Sequence, residues 1–309
     1  MPSLSIVFAG SPAAAVPSLR ALTSSDHRID AVITREDSAQ GRRGVLTPTP
    51  VATAATDLGL HVIRANRLAG AATDEVASLA PDLGVIVAYG GLVREPLLST
   101  PRLGWINLHF SLLPRWRGAA PVQRAILAGD DLTGASVFQL VPELDAGDVF
   151  GALTQPIGAL ETSGHLLESL ADAGAELLVR VVDNLADGTA RAQPQEGDVT
   201  LAPKLGLEDG RLDWRADAYA VANQVRGVTP EPGAFTTIDG MRVKVLAAMI
   251  ARDSPRLAPG VLTLDGRRLL AGTATDPLEL LEVQPAGKKA MSAADWWRGR
   301  PADAGRVAE

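Results

Sequence analysis

Trp105-Ile106-Asn107-Leu108-His109-Phe110-Ser111-Leu112-Leu113-Pro114-Arg115-Trp116-Arg117-Gly118 begins as a short apolar strand and leaves it through a stiff Ser-Leu-Leu-Pro turn. Successive side chains alternate faces along a strand, so Asn107 and His109 project from the same side of a sheet. They point an amide donor and a titratable imidazole into one cleft. An acid that can join them, Asp145, comes later in the turn Glu143-Leu144-Asp145-Ala146-Gly147-Asp148. An amide donor, an imidazole and a carboxylate together suit chemistry on a carbonyl.

Outward from this strand, short apolar runs alternate with helical stretches. Strands are expected at 4–9, 30–34, 61–63, 83–88, 105–108 and 135–141, and helices at 13–23, 50–58, 71–79 and 119–128. That alternation is the signature of an α/β, doubly wound, mostly parallel sheet. Such sheets bind ligands at the carboxyl ends of their strands, where Asn107 and His109 lie. A further strand is expected at 149–157. Leu166, Leu170, Ala173, Leu177, Val181 and Leu185 then recur at helical spacing, and Gly188 stands where that helix stops.

The first domain is therefore expected over 1–188. Residues 189–206, with Gln193-Pro194-Gln195 and Ala202-Pro203-Lys204, lack periodicity and read as an ordered linker. Over 207–309 a helix at 216–226 precedes short strands near 234–238, 242–248, 260–264, 269–271 and 278–283. Asp239-Gly240 and Asp265-Gly266 punctuate them. Closely spaced short strands joined by Gly turns predict a small β-barrel.

Composition narrows the function classes. With 309 residues, 46% hydrophobic and 21% charged, the chain predicts a packed two-domain protein and no disorder. Apolar runs such as 83–89 fall far short of the ~20 residues that span a bilayer. The first residues lack the basic start of a signal peptide, so the cytoplasm is the expected location and no membrane partner is expected. The absence of Cys excludes disulfides and thiolate chemistry. His27, His61, His109 and His165 have no i, i+4 spacing and there is no dense carboxylate cluster, so no metal is expected. In Phe8-Ala9-Gly10-Ser11-Pro12 only Gly10 is present of a dinucleotide-binding G-x-G-x-x-G, which argues against NAD.

A net charge of −7 argues against a protein that coats nucleic acid, and no DNA partner is expected. Residues 1–206 hold 15 basic and 22 acidic groups, whereas 207–309 hold 14 of each. A basic face in the second domain thus remains open.

The Asn-x-His strand, the Ser-Leu-Leu-Pro-x-x-Arg-Gly turn and the Leu-Asp-Ala-Gly-Asp loop resemble the folate-dependent formyltransferase superfamily. Phe8 to Pro12, Gly41-Arg42-Arg43-Gly44, Val87-Ala88-Tyr89-Gly90, Arg117 to Arg124 and Pro285 to Ser292 extend the likeness to its branch acting on tRNA. The resemblance implies a Rossmann-like formyltransferase fold followed by an OB-like barrel that binds tRNA. It also implies 10-formyltetrahydrofolate as donor and the methionine amino group of initiator methionyl-tRNA as acceptor. Nothing in it requires an oligomer. The alternative keeps the chemistry on a small amine, a nucleotide-sugar amine or glycinamide ribonucleotide. A folate- or RNA-binding module without turnover does not need Asn107, His109 and Asp145 together.

By that resemblance Asn107, His109 and Asp145 are the catalytic trio. Amine attack on a formyl carbon creates an oxyanion, to which the Asn107 amide can donate. A protonated His109 can donate as well and then protonate the departing folate nitrogen. Asp145 would favour the imidazolium, or accept a proton from the amine.

Ser111, Leu112, Leu113 and Pro114 are expected to contact folate, with 87–92 and 140–145 walling its pteridine pocket. Arg115 or Arg117 meets the acidic glutamate tail of folate, or both are simply solvated. For tRNA, Arg42 and Arg43 in the 35–48 loop keep two cations where the family has Gly-Arg-Gly-Lys-Lys. Lys204, Arg242, Lys244, Lys288, Lys289, Arg298 and Arg300 are candidates for a basic face. Thr229-Pro230-Glu231-Pro232-Gly233 lacks the aromatic of many relatives' turn. Trp296-Trp297 either stacks on nucleic acid or packs on the barrel.

Overall fold

The computed structural model describes residues 2–40, 44–301 and 305–309; Arg42 and Arg43 lie outside the described residues. In the first compact unit the chain runs β1 (Ser5–Gly10), α1 (Val16–Thr23), β2 (Arg28–Thr34), β3 (Ser38–Gln40), β4 (Val45–Thr47), α2 (Pro50–Asp57), β5 (Val62–Arg64), α3 (Ala71–Leu79), β6 (Leu83–Val87), β7 (Trp105–His109) and β8 (Arg117–Gly118). There follow along the chain α4 (Pro121–Ala128), which falls almost wholly in the second unit, then β9 (Leu132–Gln139), β10 (Val149–Pro156), α5 (Ser163–Ala186) and β11 (Leu201–Ala202).

Seven strands form one sheet in the order β10-β9-β7-β6-β1-β2-β5. β1, β2, β5, β6 and β7 are parallel, and β9 joins β7 antiparallel. The sheet is Rossmann-like and mostly parallel. All five residues of β6 are buried, as the continuous apolar run of a strand covered on both faces requires. β3 and β4 form a separate hairpin inside the 35–48 segment. Its alternation is too short and too exposed to register as strands in the sequence.

Register decides which face carries the polar pair. Gly84 pairs with Trp105, and Ile86 with Asn107. Val7 and Ala9 of β1 lie on the same face and share one apolar cluster with Ile33, Ile86, Leu97 and Trp105. Trp105 is fully buried, and its Nε1–H donates to the Leu97 carbonyl at 2.8 Å. Asn107 and His109 stand above this anchor toward the carboxyl end of β7.

Gly84 is required beneath it, because a Cβ there would fall 2.1 Å from the Trp105 ring. Gly84→Ala is expected to cost about 1–3 kcal/mol through overpacking. The measurement is urea unfolding, read as a lower midpoint at unchanged slope.

The second compact unit comprises 122–132, 156–166 and 203–309. A linear division at residue 188 leaves the first two segments with the first domain. They join the second unit through contacts that periodicity does not report. Ser163 Oγ–H donates to the Thr229 carbonyl at 2.8 Å, and Arg226 Nη1 donates to the Gly158 and Glu161 carbonyls at 3.1 and 3.2 Å.

Here α6 (Ala218–Gly227) is capped by Asp217, whose side chain accepts from Ala220 N. β12 (Phe235–Ile238), β13 (Met241–Ile250), β14 (Leu262–Asp265), β15 (Arg268–Ala271), β16 (Leu278–Pro285) and β17 (Met291–Ser292) follow, then α7 (Ala293–Arg298). The strand order is β12-β13-β16-β15-β14, with β17 on β16. Residues 306–309 bridge the two edges: Ala308 pairs with Ile238, and Val307 with Val261 just before β14. Backbone bonds from Leu262 N to Arg306 O and between Glu309 and Thr237 complete that closure, which removes the exposed edges of a barrel-like sheet. Its core includes Val245, Leu269, Leu280, Val283 and Trp296. Among the described residues, no helix is long and apolar enough to cross a membrane.

Candidate active site

β7 delivers Asn107 half-buried and His109 buried, opposite Phe138 and Ser136 of β9 respectively. The His109 ring meets the edge of Phe138 at 86°, with centroids 6.4 Å apart. Its Nε2 lies 2.8 Å from the Trp116 carbonyl. A carbonyl only accepts, so Nε2 carries the hydrogen. In the neutral ring the lone pair is then on Nδ1, which faces Asp145 Oδ2 at 3.8 Å.

Burial, the largest influence, pushes His109 below its ordinary pKa. The Asp145 charge and the Trp116 carbonyl push it back up, in that order. The resting ring is the neutral base. Asp145 favours the imidazolium, as the sequence suggested, but burial, which the sequence does not report, outweighs it.

Asp145 sits at φ +46°, a conformation sparsely populated outside Gly. Its Oδ2 accepts the Gly118 N–H at 2.7 Å. Two residues on, Gly147 passes so close to Gln139 that a Cβ would lie 1.8 Å from its carbonyl oxygen, so this turn tolerates no side chain there.

The Ser-Leu-Leu-Pro turn is fastened from within. Ser111 Oγ–H donates to the Arg115 carbonyl at 2.6 Å, Ser136 Oγ–H donates to the Ser111 carbonyl at 2.7 Å, and Leu113 N–H donates to Ser136 Oγ at 3.3 Å. Ser111 and Pro114 are buried, whereas Leu112 and Leu113 are half-buried. Beyond the turn, Trp116 takes φ +62°, which brings its carbonyl to His109. Thr200 Oγ1 accepts the Trp116 N–H at 2.9 Å, and β8 pairs in parallel with β11. Thr200 and β11, within the segment that lacks periodicity, are thus part of the site's scaffold. The partners missed from sequence are the Trp116 carbonyl, the Gly118 amide, Thr200 and Gln195. Main-chain groups leave no signature in residue identity, and Thr200 and Gln195 fall in a stretch without periodicity.

Arg117 donates from Nε and Nη2 to Gln195 Oε1 at 3.1 and 2.6 Å, so its guanidinium is engaged within the protein. Arg115 is exposed, 5.3 Å over the Trp116 ring. At the neighbouring strand ends, Arg35 bonds the Tyr89 and Gly90 carbonyls and Ser11 Oγ–H donates to Tyr89 O, which fixes the 87–90 segment. Leu92 and Leu144 are exposed.

In the second unit Lys204, Lys288 and Lys289 are exposed and Lys244 is half-buried. The arginines of the expected basic face have partners within the unit, although Arg298 itself is exposed. Arg242 lies 3.6 Å over the Phe235 ring, Arg298 bonds Asp295 at 2.6 Å, and Arg300 bonds Asp239 and sits over both Trp296 and Trp297. Trp296 packs in the barrel core.

The Formyl transferase family matches residues 4–182, and the Formyl transferase, C-terminal domain family matches 204–301. The methionyl-tRNA formyltransferase of Leifsonia xyli subsp. xyli is 60% identical over 299 residues, 97% of this chain and 98% of the relative. That of Clavibacter michiganensis subsp. michiganensis is 58% identical over 294 residues, 95% of this chain and 96% of the relative. Among solved structures, the N-formyltransferase from Helicobacter canadensis in complex with folinic acid and dTDP-3-aminofucose shares the fold. Its TM-score is 0.69 at 15% identity, over 90% of this chain and 98% of that one. With both domain families matched and relatives this similar along nearly its full length, the chain belongs to the formyltransferase family.

Proposed function

We propose that this protein transfers the formyl group of 10-formyltetrahydrofolate to the α-amino group of methionine on initiator methionyl-tRNA. The observation that carries the reading is the fixed tautomer of His109. A carbonyl holds Nε2–H, so Nδ1 is a free base beside Asp145, on the strand face that also presents Asn107. Identity of 52–60% to enzymes named for methionyl-tRNA supports this acceptor.

The amine attacks the formyl carbon, and the Asn107 amide donates to the oxygen as negative charge develops on it. Nδ1 of His109 takes the proton that the nitrogen sheds. Asp145 balances the resulting imidazolium, which returns the proton to the departing folate nitrogen as the carbon–nitrogen bond breaks. One proton thus moves from the amine to the folate, and the enzyme is unchanged.

In this reading 1–188 carries the chemistry, 189–206 braces it, and 207–309 holds tRNA. Leu112, Leu113 and the backbone of the 111–114 turn contact folate, because the Ser111 hydroxyl is already used. Exposed Lys204, Lys288 and Lys289 are proposed phosphate contacts, together with Arg42 and Arg43.

With 10-formyltetrahydrofolate as donor, charged initiator tRNA is expected to yield N-formylmethionyl-tRNA, whereas dTDP-linked amino sugars give no product. Formylation of the sugar but not the tRNA would assign the other acceptor class.

A further inference from the structure

We propose that Gln195 is a positioning residue for formyl transfer, clamping the loop that carries Asp145 against the strand that binds its carboxylate. This rests on the formyl-transfer reading of the Asn107–His109–Asp145 site and adds a part of it that lies far off in sequence.

Gln195 follows Gln193, which exchanges two backbone hydrogen bonds with Val149 at 2.8 and 2.9 Å. Pro194 stiffens the step between them. The side-chain amide has two N–H donors and two acceptor lone pairs, and all four are used. Nε2 donates to the carbonyls of Asp145 and Gly147, each at 2.8 Å. Oε1 accepts from Arg117 Nε at 3.1 Å and Nη2 at 2.6 Å. The alternative amide orientation would set Oε1 against two carbonyls and the NH2 group against a guanidinium. The orientation is therefore dictated by its neighbours.

What Gln195 joins gives it meaning. On one side lies Arg117, whose successor Gly118 donates its N–H to Asp145 Oδ2. On the other lie the carbonyls of Asp145 itself and of Gly147. Gln195 thus connects the donor of the Asp145 carboxylate to the backbone that bears it. Asp145 occupies φ +46°, in the left-handed region, a conformation that its surroundings must hold in place. Two hydrogen bonds across the 145–147 turn supply that constraint. Released from them, the carboxylate shifts relative to His109 Nδ1, and a displacement of ~1 Å in a reacting constellation costs on the order of 10²-fold in rate.

Gln195→Glu separates the two halves of the clamp. A carboxylate still accepts from Arg117, now as an ion pair, but has no N–H for the Asp145 and Gly147 carbonyls. Gln195→Met keeps the side chain's length and removes both halves. Both variants are expected to lose about ten- to a hundredfold in kcat, with KM for either substrate within about twofold and Tm close to wild type. Placed on an Asp145→Asn background, Gln195→Glu should cost less than about twofold more, because a residue acting through Asp145 has little left to act on.

Wild-type kcat in Gln195→Glu overturns the proposal, as does the full loss repeated on the Asp145→Asn background. So does a loss of activity in both variants that tracks a fall in Tm, which would give Gln195 to the fold alone. A wild-type protein that formylates nothing from 10-formyltetrahydrofolate would instead remove the formyl-transfer reading itself.

Discussion

Asn107→Ala is expected to lower kcat by about 10²–10³ while changing affinity for the folate donor by less than about threefold. The expectation follows from where the amide stands and what it faces. Asn107 is half-buried on β7, two residues after a fully buried Trp105 that anchors the strand and two before His109. In the ground state its target is a neutral formyl oxygen, to which a hydrogen bond gains little over water. In the tetrahedral state that oxygen carries charge, and a donor already in place avoids the reorganisation water would need. The effect therefore belongs to kcat. Steady-state kinetics with both substrates, alongside folate binding by calorimetry, separates the cases. Equal losses in kcat and in folate affinity would make Asn107 a ground-state binding group.

The strand that carries Asn107 and His109 was legible because its physics is local. Alternation sets the face, and an apolar run between helical segments sets the sheet. The barrel strands were legible for the same reason, through Asp-Gly turns at 239–240 and 265–266. The hairpin of β3 and β4 was not, since three-residue exposed strands bury nothing that a pattern records. Nor was the membership of 122–132 and 156–166 in the second unit, which depends on hydrogen bonds such as Ser163 to Thr229 between distant segments.

Within the candidate site, residue types singled out Asn107, His109 and Asp145 but could not give the tautomer or the sign of the pKa shift. Those depend on a backbone carbonyl, at Trp116, and on burial. The Arg117 alternatives, folate tail or solvent, both overlooked a protein partner, because Gln195 is remote in sequence and sits in an aperiodic stretch.

Asp145→Asn is expected to reduce kcat by about 10²–10⁴ and to move the acid limb of the pH–rate profile to lower pH. The substitution keeps the side chain's size, and Oδ1 of Asn can still accept the Gly118 N–H, so the loop retains its anchor. What disappears is the charge beside Nδ1. The imidazolium formed when His109 takes the amine's proton then lacks its counter-charge in a buried site, and the barrier rises.

The direction of the pH shift follows from the same charge. Burial holds His109 below its ordinary value, and Asp145 is the larger of the two influences opposing that. Removing it lowers the imidazole further. The proposed reaction needs the neutral ring, so the wild-type rate is expected to fall as pH drops through the depressed pKa, and in the variant that fall comes later. Stability moves with it. Between the folded-state pKa and the higher unfolded value of ~6.5, the unfolded chain binds more protons, so the fold loses stability as pH falls through that window. Asp145→Asn extends the window downward, so its Tm should go on falling with pH below the point at which that of wild type levels off. An acid limb that stays in place or moves upward would separate Asp145 from His109 and leave the carboxylate as a loop anchor only.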